Sequence, residues 1–387
     1  MRPEFVRSSA IVGAATASGL VGWSGQVLLM PATLAFPLLW SIARKRRVAA
    51  LVAAAYFLAA SRELPQVVAT FYMSDPWLGL ALWLVASAGF VAVHTALWSP
   101  SSSQRPARYL AAILLMSFPP FGIVGWAHPI TAAGVLFPDW GWWGLAVMTV
   151  GLTGLVSRKG PVVAVALGSF WLWSVANWTD TNVADTWRGV DLQFGASLGR
   201  QSGLQHERDL IAIVRVAASD GAHFIVLPES GLGLWTPTKR QLWLSELSGS
   251  PVTIIAGAVV VNGNDYDNVL VTITGNSSGV LYRERMPVPG AMWQPWLRWS
   301  GESGGARAYF FANPVVKVGS TKIAPLICYE QLIVWPVLQS MLGDPDVLLA
   351  VGNGWWARGM SIVDIQRAST IAWARLFSKP LVLSFNT

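Results

Sequence analysis

Apolar residues are unevenly spread along the chain. Up to residue 180 they gather in long runs, near 9–23, 26–43, 48–60, 77–98, 108–127, 130–156 and 161–177. A membrane-crossing helix needs about 20 largely apolar residues. This pattern therefore predicts a multi-span α-helical membrane domain over residues 1–180, with about seven helices. The first and third runs are short, and Pro138, Asp139 and Gly141 interrupt the sixth. The first run does not read as a removable signal peptide. A second apolar run follows almost at once, and no clean small-residue cleavage site separates them.

Beyond residue 180 the apolar runs shrink to strand length. Residues 222–228, 252–260, 267–274, 322–328 and 346–351 are short apolar stretches bounded by Gly, Asn and Asp, and read as strands. Helical patterns lie between them. Residues 203–219 place Leu210, Ile213, Val214 and Ala217 on one face, and 331–342 and 360–377 are further helices. Mixed strands and helices over about 200 residues predict one α/β domain spanning 181–387. No internal repeat or low-complexity tract is visible.

Composition sharpens this picture. Of 387 residues, 53% are hydrophobic and 12% are charged, and the mean hydropathy is +0.47. Soluble domains carry about 25% charged residues. Disorder is therefore excluded, and the composition argues against a purely soluble enzyme. The net charge of +7 is explained by where the cations lie. With the N-terminus inside, seven spans leave Arg2, Arg7, Arg44, Lys45, Arg46, Arg47, Arg105, Arg108, Arg158 and Lys159 on the cytoplasmic side, and only Arg62 outside. An odd number of spans delivers residues 181–387 to the opposite side. In a Gram-negative cell this predicts a multi-pass inner-membrane protein with a periplasmic C-terminal domain. The lipid bilayer is then its partner, and direct nucleic-acid binding is not expected. The one cysteine, Cys328, allows neither an intramolecular disulfide framework nor a Cys zinc cluster. The four histidines show no metal-ligand spacing, so no metal and no cofactor are expected.

Three segments of the second half carry candidate chemistry. In Leu227-Pro228-Glu229-Ser230 a carboxylate follows a buried strand, where an apolar setting raises a carboxyl pKa and suits a general base. Read alone, such a Glu is more often an ordinary loop or capping residue. In Leu326-Ile327-Cys328-Tyr329-Glu330 the cysteine sits where a strand runs into a helix, and a helix N-terminus favours the thiolate. The plainer alternative is a small packed side chain. In Tyr282-Arg283-Glu284-Arg285-Met286-Pro287 the cations are placed to hold an oxyanion, or else are solvated charges before a Pro-braced loop.

Together these segments resemble the carbon–nitrogen hydrolase (nitrilase) superfamily, which uses a Glu–Lys–Cys triad in an αββα sandwich. Leu227-Pro228-Glu229 is similar to its Pro-Glu strand end, and Ile327-Cys328-Tyr329-Glu330 to its strand–helix elbow. Val351-Gly352-Asn353-Gly354-Trp355-Trp356 looks like its Ser-Asn-Asp-x-Trp strand end. Gln366-Arg367-Ala368, followed by Lys379-Pro380-Leu381, resembles its last helix and strand. The resemblance covers nearly all of 187–387 and implies a nitrilase-like αββα domain. A multi-span domain fused to such a domain resembles the apolipoprotein N-acyltransferases. The Trp-rich segment Met286–Trp299 and the abrupt C-terminus look like the plasmid conjugal-transfer branch of their relatives.

The resemblance implies that Glu229 takes the Cys328 proton and that Cys328 attacks an acyl or amide carbon to give a thioester. Arg285, with backbone N–H groups near Tyr329, would hold the oxyanion. Glu330, Tyr329, Asn353 and Trp356 would shape the substrate pocket. Trp293, Trp296 and Trp299 would either enter the membrane interface and admit a lipid acyl chain, or pack against the membrane half. Three departures stand against an intact enzyme. Glu284 occupies the position of the family's lysine, Met292 replaces a further glutamate of the acyltransferases, and the sequence stops at Thr387, where they continue into a last membrane helix. The alternative expectation is a catalytically inactive docking component of the conjugal transfer machinery, with transfer proteins as its partners.

Overall fold

The computed structural model describes residues 3–181, 186–195, 203–299, 301 and 304–387. The chain forms two compact units. One comprises Met1–Thr181, Leu332–Trp335 and Met360–Ser378, and the other Asn182–Gln331, Pro336–Gly359 and Lys379–Thr387.

The first unit is helical. Its helices are α1 (Pro3–Gly22), α2 (Ala35–Ile42), α3 (Arg46–Ala60), α4 (Leu64–Tyr72), α5 (Pro76–Leu97), α6 (Arg105–Ser117), α7 (Ala133–Leu136), α8 (Gly141–Leu155) and α9 (Gly160–Ala176). Among the described residues two stretches, Glu4–Gly22 and Pro76–Leu97, are long and apolar enough to cross a membrane. α3 and α4 also pass together, bent by 47° at Ser61–Glu63. The other expected spans appear as shorter pieces, and proline accounts for much of this. A proline inside a helix removes an N–H donor and crowds the preceding turn. Pro31 lies within a 3-10 stretch, Val27–Leu34, that precedes α2. α6 stops at Ser117, before Pro119 and Pro120. Phe137–Trp140, with Pro138, separates α7 from α8. Residues 64–72, which lie outside the predicted apolar runs, form α4.

Aromatic rings fill the middle of this unit. Phe36 stacks on Tyr56 at 4.5 Å, and Phe90 lies 4.8 Å from Phe57 and 4.2 Å from His94. Trp23 Nε1–H donates to Tyr56 Oη at 2.9 Å, and that hydroxyl donates to Ala127 O at 2.8 Å. Such pairing removes the cost of burying polar tips.

The chain returns to this helical unit late. Between Met360 and Ser378 it contributes a helix, Ile362–Leu376, that is buried on most of its residues. Gly134 makes room for it: a Cβ there would sit 1.6 Å from Ala372 O. The Glu63 carboxylate accepts the Ser361 N–H at 2.7 Å and its hydroxyl at 2.9 Å, so an acid caps the helix start. At the other end Arg375 donates to Thr179 and lies over the Trp178 ring at 3.8 Å. The division of the chain is therefore not a single cut at residue 180.

The second unit is α/β. It holds α10 (Leu204–Ser219), α11 (Pro237–Glu246) and most of α12 (Val334–Leu342), so the late helix of the first unit is α13. Its first sheet runs β1 (Trp187–Gly189), β2 (Phe224–Leu227), β3 (Thr253–Asn262), β4 (Asp265–Ile273) and β5 (Ser278–Arg283), in that order. β1 to β3 are parallel, and β4 and β5 continue as antiparallel neighbours. The second sheet is β6 (Val316–Val318), β7 (Thr321–Ile327), β8 (Val347–Asn353) and β9 (Leu381–Asn386). β7 to β9 are parallel, with β6 antiparallel at the edge.

Side-chain alternation sorts the core into two layers. Val226, Ile255, Leu270 and Tyr282 of the first sheet meet Ile323, Ile327, Leu349, Val351 and Val382 of the second. On the other face of the first sheet Ile225, Leu227, Ile254 and Ala256 pack with Leu210 and Val214 of α10 and Trp243 of α11. Parallel strands bring their carboxyl ends to one edge, where clefts form in such folds. Glu229, Glu284, Cys328 and Asn353 all lie at or just beyond such an end.

Candidate active site

β7 ends at Ile327, and Cys328 turns the chain with φ +46° into the short 3-10 helix Cys328–Gln331. A non-glycine residue in this region is strained by roughly 1–3 kcal/mol and must be held by its surroundings. Glu330 accepts the Ile327 N–H at 2.8 Å, and Gln331 Nε2–H donates to Val351 O at 2.7 Å. The expectation of a helix N-terminus behind the sulfur is corrected here. A four-residue turn aligns few peptide dipoles, so it contributes little of the field that a long helix supplies.

The base candidate meets the thiol. Glu229 is buried just past β2, and the Cys328 side chain hydrogen-bonds to its carboxyl group. Asn268 Nδ2–H donates to Glu229 Oε1 at 2.8 Å, and the Asn353 N–H donates to Oε2 at 3.0 Å. Burial pushes the Glu229 pKa up to about 7; the bonds from Asn268, Cys328 and Asn353 oppose that rise, and the Glu330 charge adds to it. Close packing sets its position. A Cβ on Gly257 of β3 would lie 2.4 Å from Glu229 Cα, so only glycine lets the Glu229 backbone approach β3.

Glu284 joins the same cluster. Asn268 Nδ2 also donates to Glu284 Oε2 at 2.8 Å, and the Glu284 N–H donates to Asn268 O at 2.9 Å. Glu284 is fully buried. Burial, then the charges of Glu229 and Glu330, hold its acid form well above the usual carboxylate range, against the single bond from Asn268.

Arg285 is directed elsewhere, which corrects its expected place at the oxyanion. Its Nε–H donates to Tyr282 Oη, its Nη1 to Pro336 O and Gln339 Oε1, and its Nη2 to Pro325 O and Ser340 Oγ. A guanidinium has five N–H donors, and these five acceptors use them all. The side chain is fully buried, with Nε 3.6 Å from Glu330 Oε1. Arg283 is tied to Asp267, to whose Oδ2 its Nε–H donates at 3.1 Å.

Glu330 is a brace. Besides Ile327 N–H it accepts from Tyr282 Oη at 2.7 Å, Arg285 N–H at 2.6 Å and Met286 N–H at 3.3 Å, and it is fully buried. It thus ties the cysteine turn to the segment after β5. Asn353 gives its N–H to Glu229, and its Oδ1 accepts from Asn386 Nδ2 at 2.9 Å. Tyr329 and Trp356 are half-buried, beside the sulfur-bearing turn and after β8 respectively. Asn268 and Asn386 escaped sequence reading. An asparagine inside the apolar run Asn268-Val269-Leu270-Val271 was the available signal, because a buried amide needs partners.

A thiol hydrogen-bonded to a carboxylate poised near neutrality can pass its proton and become the nucleophilic thiolate. Comparison with known proteins identifies the family. The model of the carbon–nitrogen hydrolase family matches residues 58–375. A probable conjugal transfer protein TraB of Sinorhizobium fredii is 61% identical over the whole of both chains. The conjugal transfer protein TraB of Agrobacterium fabrum is 58% identical, over 96% of this chain and 91% of that one. Among solved structures, a carbon–nitrogen hydrolase from Helicobacter pylori aligns with 51% of this chain and 72% of its own, at 13% identity and a TM-score of 0.35. An amidase of the nitrilase superfamily from Nesterenkonia aligns with 43% of this chain and 63% of its own, at 13% identity and a TM-score of 0.31. The chain belongs to the carbon–nitrogen hydrolase family, as a relative of the TraB conjugal transfer proteins.

Proposed function

We propose that this chain is a membrane-anchored, thiol-dependent amidase or acyltransferase that works through a thioester on Cys328. One observation carries the reading: the Cys328 side chain bonds to Glu229, whose carboxyl is buried and fixed by Asn268 and Asn353. Glu229 takes the thiol proton, and the sulfur attacks an acyl or amide carbon. Trp296 and Trp299 are exposed, the latter 88% so, and suit contact with a bilayer interface that presents a lipid acyl chain. The apolar helices of the first unit support membrane insertion, and the cation pattern supports a periplasmic α/β unit. The TraB relatives support a role in plasmid conjugal transfer.

The test is thiol chemistry on the full chain in detergent. Iodoacetamide should label native Cys328 faster than the unfolded chain, with a rate that rises with pH through about 7 as Glu229 ionises. Cys328→Ala should abolish labelling and lower conjugation frequency. Unchanged conjugation frequency in Cys328→Ala, or labelling of the wild type no faster than in the unfolded chain, rejects the reading. The second reading, an inactive docking component of the transfer machinery, is favoured by one observation: the donors of Arg285 are spent on its own surroundings. Unchanged conjugation in a catalytically dead variant that still assembles would support it.

A further inference from the structure

We propose that Glu284 acts as a neutral acid that donates its O–H to the oxygen of the acyl group under attack at Cys328. The proposal rests on the thiol reading above and names the group that replaces a cation there. Its basis is the three-sided cluster around Asn268. One nitrogen, Nδ2, lies 2.8 Å from Glu229 Oε1 and 2.8 Å from Glu284 Oε2, so the two carboxyl groups are at most twice that distance apart. Two buried carboxyls this close do not both ionise without a counter-charge.

The charged and titratable groups around Glu284 supply no counter-charge. Glu229 faces it from the end of β2, and Glu330 from the cysteine turn that also carries Cys328. Arg283 and Arg285 flank it in sequence, but Arg283 Nε–H donates to Asp267, and Arg285, like Tyr282, is bound to Glu330. One proton therefore stays on the pair, and the surroundings decide where. Glu229 is stabilised as an anion by Asn268, by the Asn353 N–H and by the thiol. Glu284 has the single bond from Asn268 and no exposure. The proton sits on Glu284.

The second oxygen of Glu284 gives this proton a use. Glu284 Oε1 is buried without a hydrogen-bond partner among the described residues. As half of a carboxylate such an atom is costly. As the O–H of an acid it is a donor that awaits an acceptor, which an incoming carbonyl oxygen provides. A carboxylic acid kept neutral by its site can serve as an oxyanion donor.

The step then balances. The sulfur lone pair forms the S–C bond while the thiol proton passes to Glu229. The carbonyl π pair moves onto oxygen, which accepts the Glu284 hydrogen bond without taking its proton. Collapse restores the carbonyl, expels the leaving group and leaves a thioester. An amine leaving group takes the proton back from Glu229.

Two probes separate this role from a structural one in the full chain. Acylation of Cys328 by p-nitrophenyl acetate builds an oxyanion and releases p-nitrophenolate. Alkylation by iodoacetamide displaces iodide and builds none. Glu284→Leu should lower the ratio of acylation to alkylation rates by about 10²-fold. Glu284→Gln, which presents an N–H donor at the same place, should restore most of that ratio. It should also keep the pH midpoint of alkylation, because a neutral group replaces a neutral group. A ratio unchanged in both variants overturns the proposal. So does a downward move of the midpoint in Glu284→Gln, which would mark a Glu284 that had been charged. Alkylation of the wild type without any acylation overturns the proposal and leaves the thiol reading standing. Absence of alkylation removes the thiol reading itself.

Discussion

Asn268 serves two carboxyl groups with one nitrogen, but burial is the larger influence on the protonation of both. It leaves Glu229 able to ionise near neutrality and Glu284 able to remain an acid. The arrangement has a cost in stability that follows from linkage. Folded Glu229 holds its proton up to about pH 7, whereas an ordinary glutamate releases it near 4.5. Proton loss between those values therefore favours the unfolded chain, on the order of 3 kcal/mol in all. The contribution of the neutral acid is complete below about pH 4.5 and is lost as the pH climbs through about 7. Glu229→Gln removes this dependence. Its melting temperature should vary less between pH 5 and pH 8 than that of the wild type, with the gain over wild type largest at pH 8. Differential scanning calorimetry of the solubilised chain checks the sign, and a larger gain at pH 5 would contradict it.

At the scale of elements, the site depends on how strand ends are pinned to one another. Arg285 and Glu330 together fasten the segment after β5 to the cysteine turn and to α12. Removing one member of a buried ion pair strands the other. Arg285→Met should thus cost about 3–5 kcal/mol of stability, measured by denaturant unfolding. A loss under 1 kcal/mol would show that the pair braces nothing. Gly257 marks the second pin, between β3 and the Glu229 backbone. Gly257→Val forces that backbone away, so iodoacetamide labelling of Cys328 should slow at least tenfold while far-ultraviolet circular dichroism is retained. Unaltered labelling would mean that the approach is not needed. The late helix α13 shows the same logic in the first unit, where Glu63 caps its start and Gly134 admits its backbone.

On the scale of the molecule, the proposed topology places the helical unit in the membrane and the thiol outside the cytoplasm. An alkaline phosphatase fused after Thr387 should then be active in cells, and one fused near Arg46 inactive. The opposite pattern would put the thiol in the cytoplasm. Much of this organisation was legible from residue pattern alone. Long apolar runs marked the helical half, short continuous apolar stretches marked β2, β3, β4, β7 and β8, and Glu229 and Cys328 stood out at strand ends. These are local signals, since burial imposes a period on neighbouring residues. Several features were not local. Arg285 lies beside Glu284 in sequence, and only packing shows that its five donors are consumed by Tyr282, Pro325, Pro336, Gln339 and Ser340. The placement of α13 in the helical unit and the bridging by Asn268 likewise arise from contacts between distant positions. Sequence determined which residues were equipped for thiol chemistry and which halves were apolar. Tertiary structure decided which charges meet, because hydrogen-bond partners and desolvation are properties of neighbours in space.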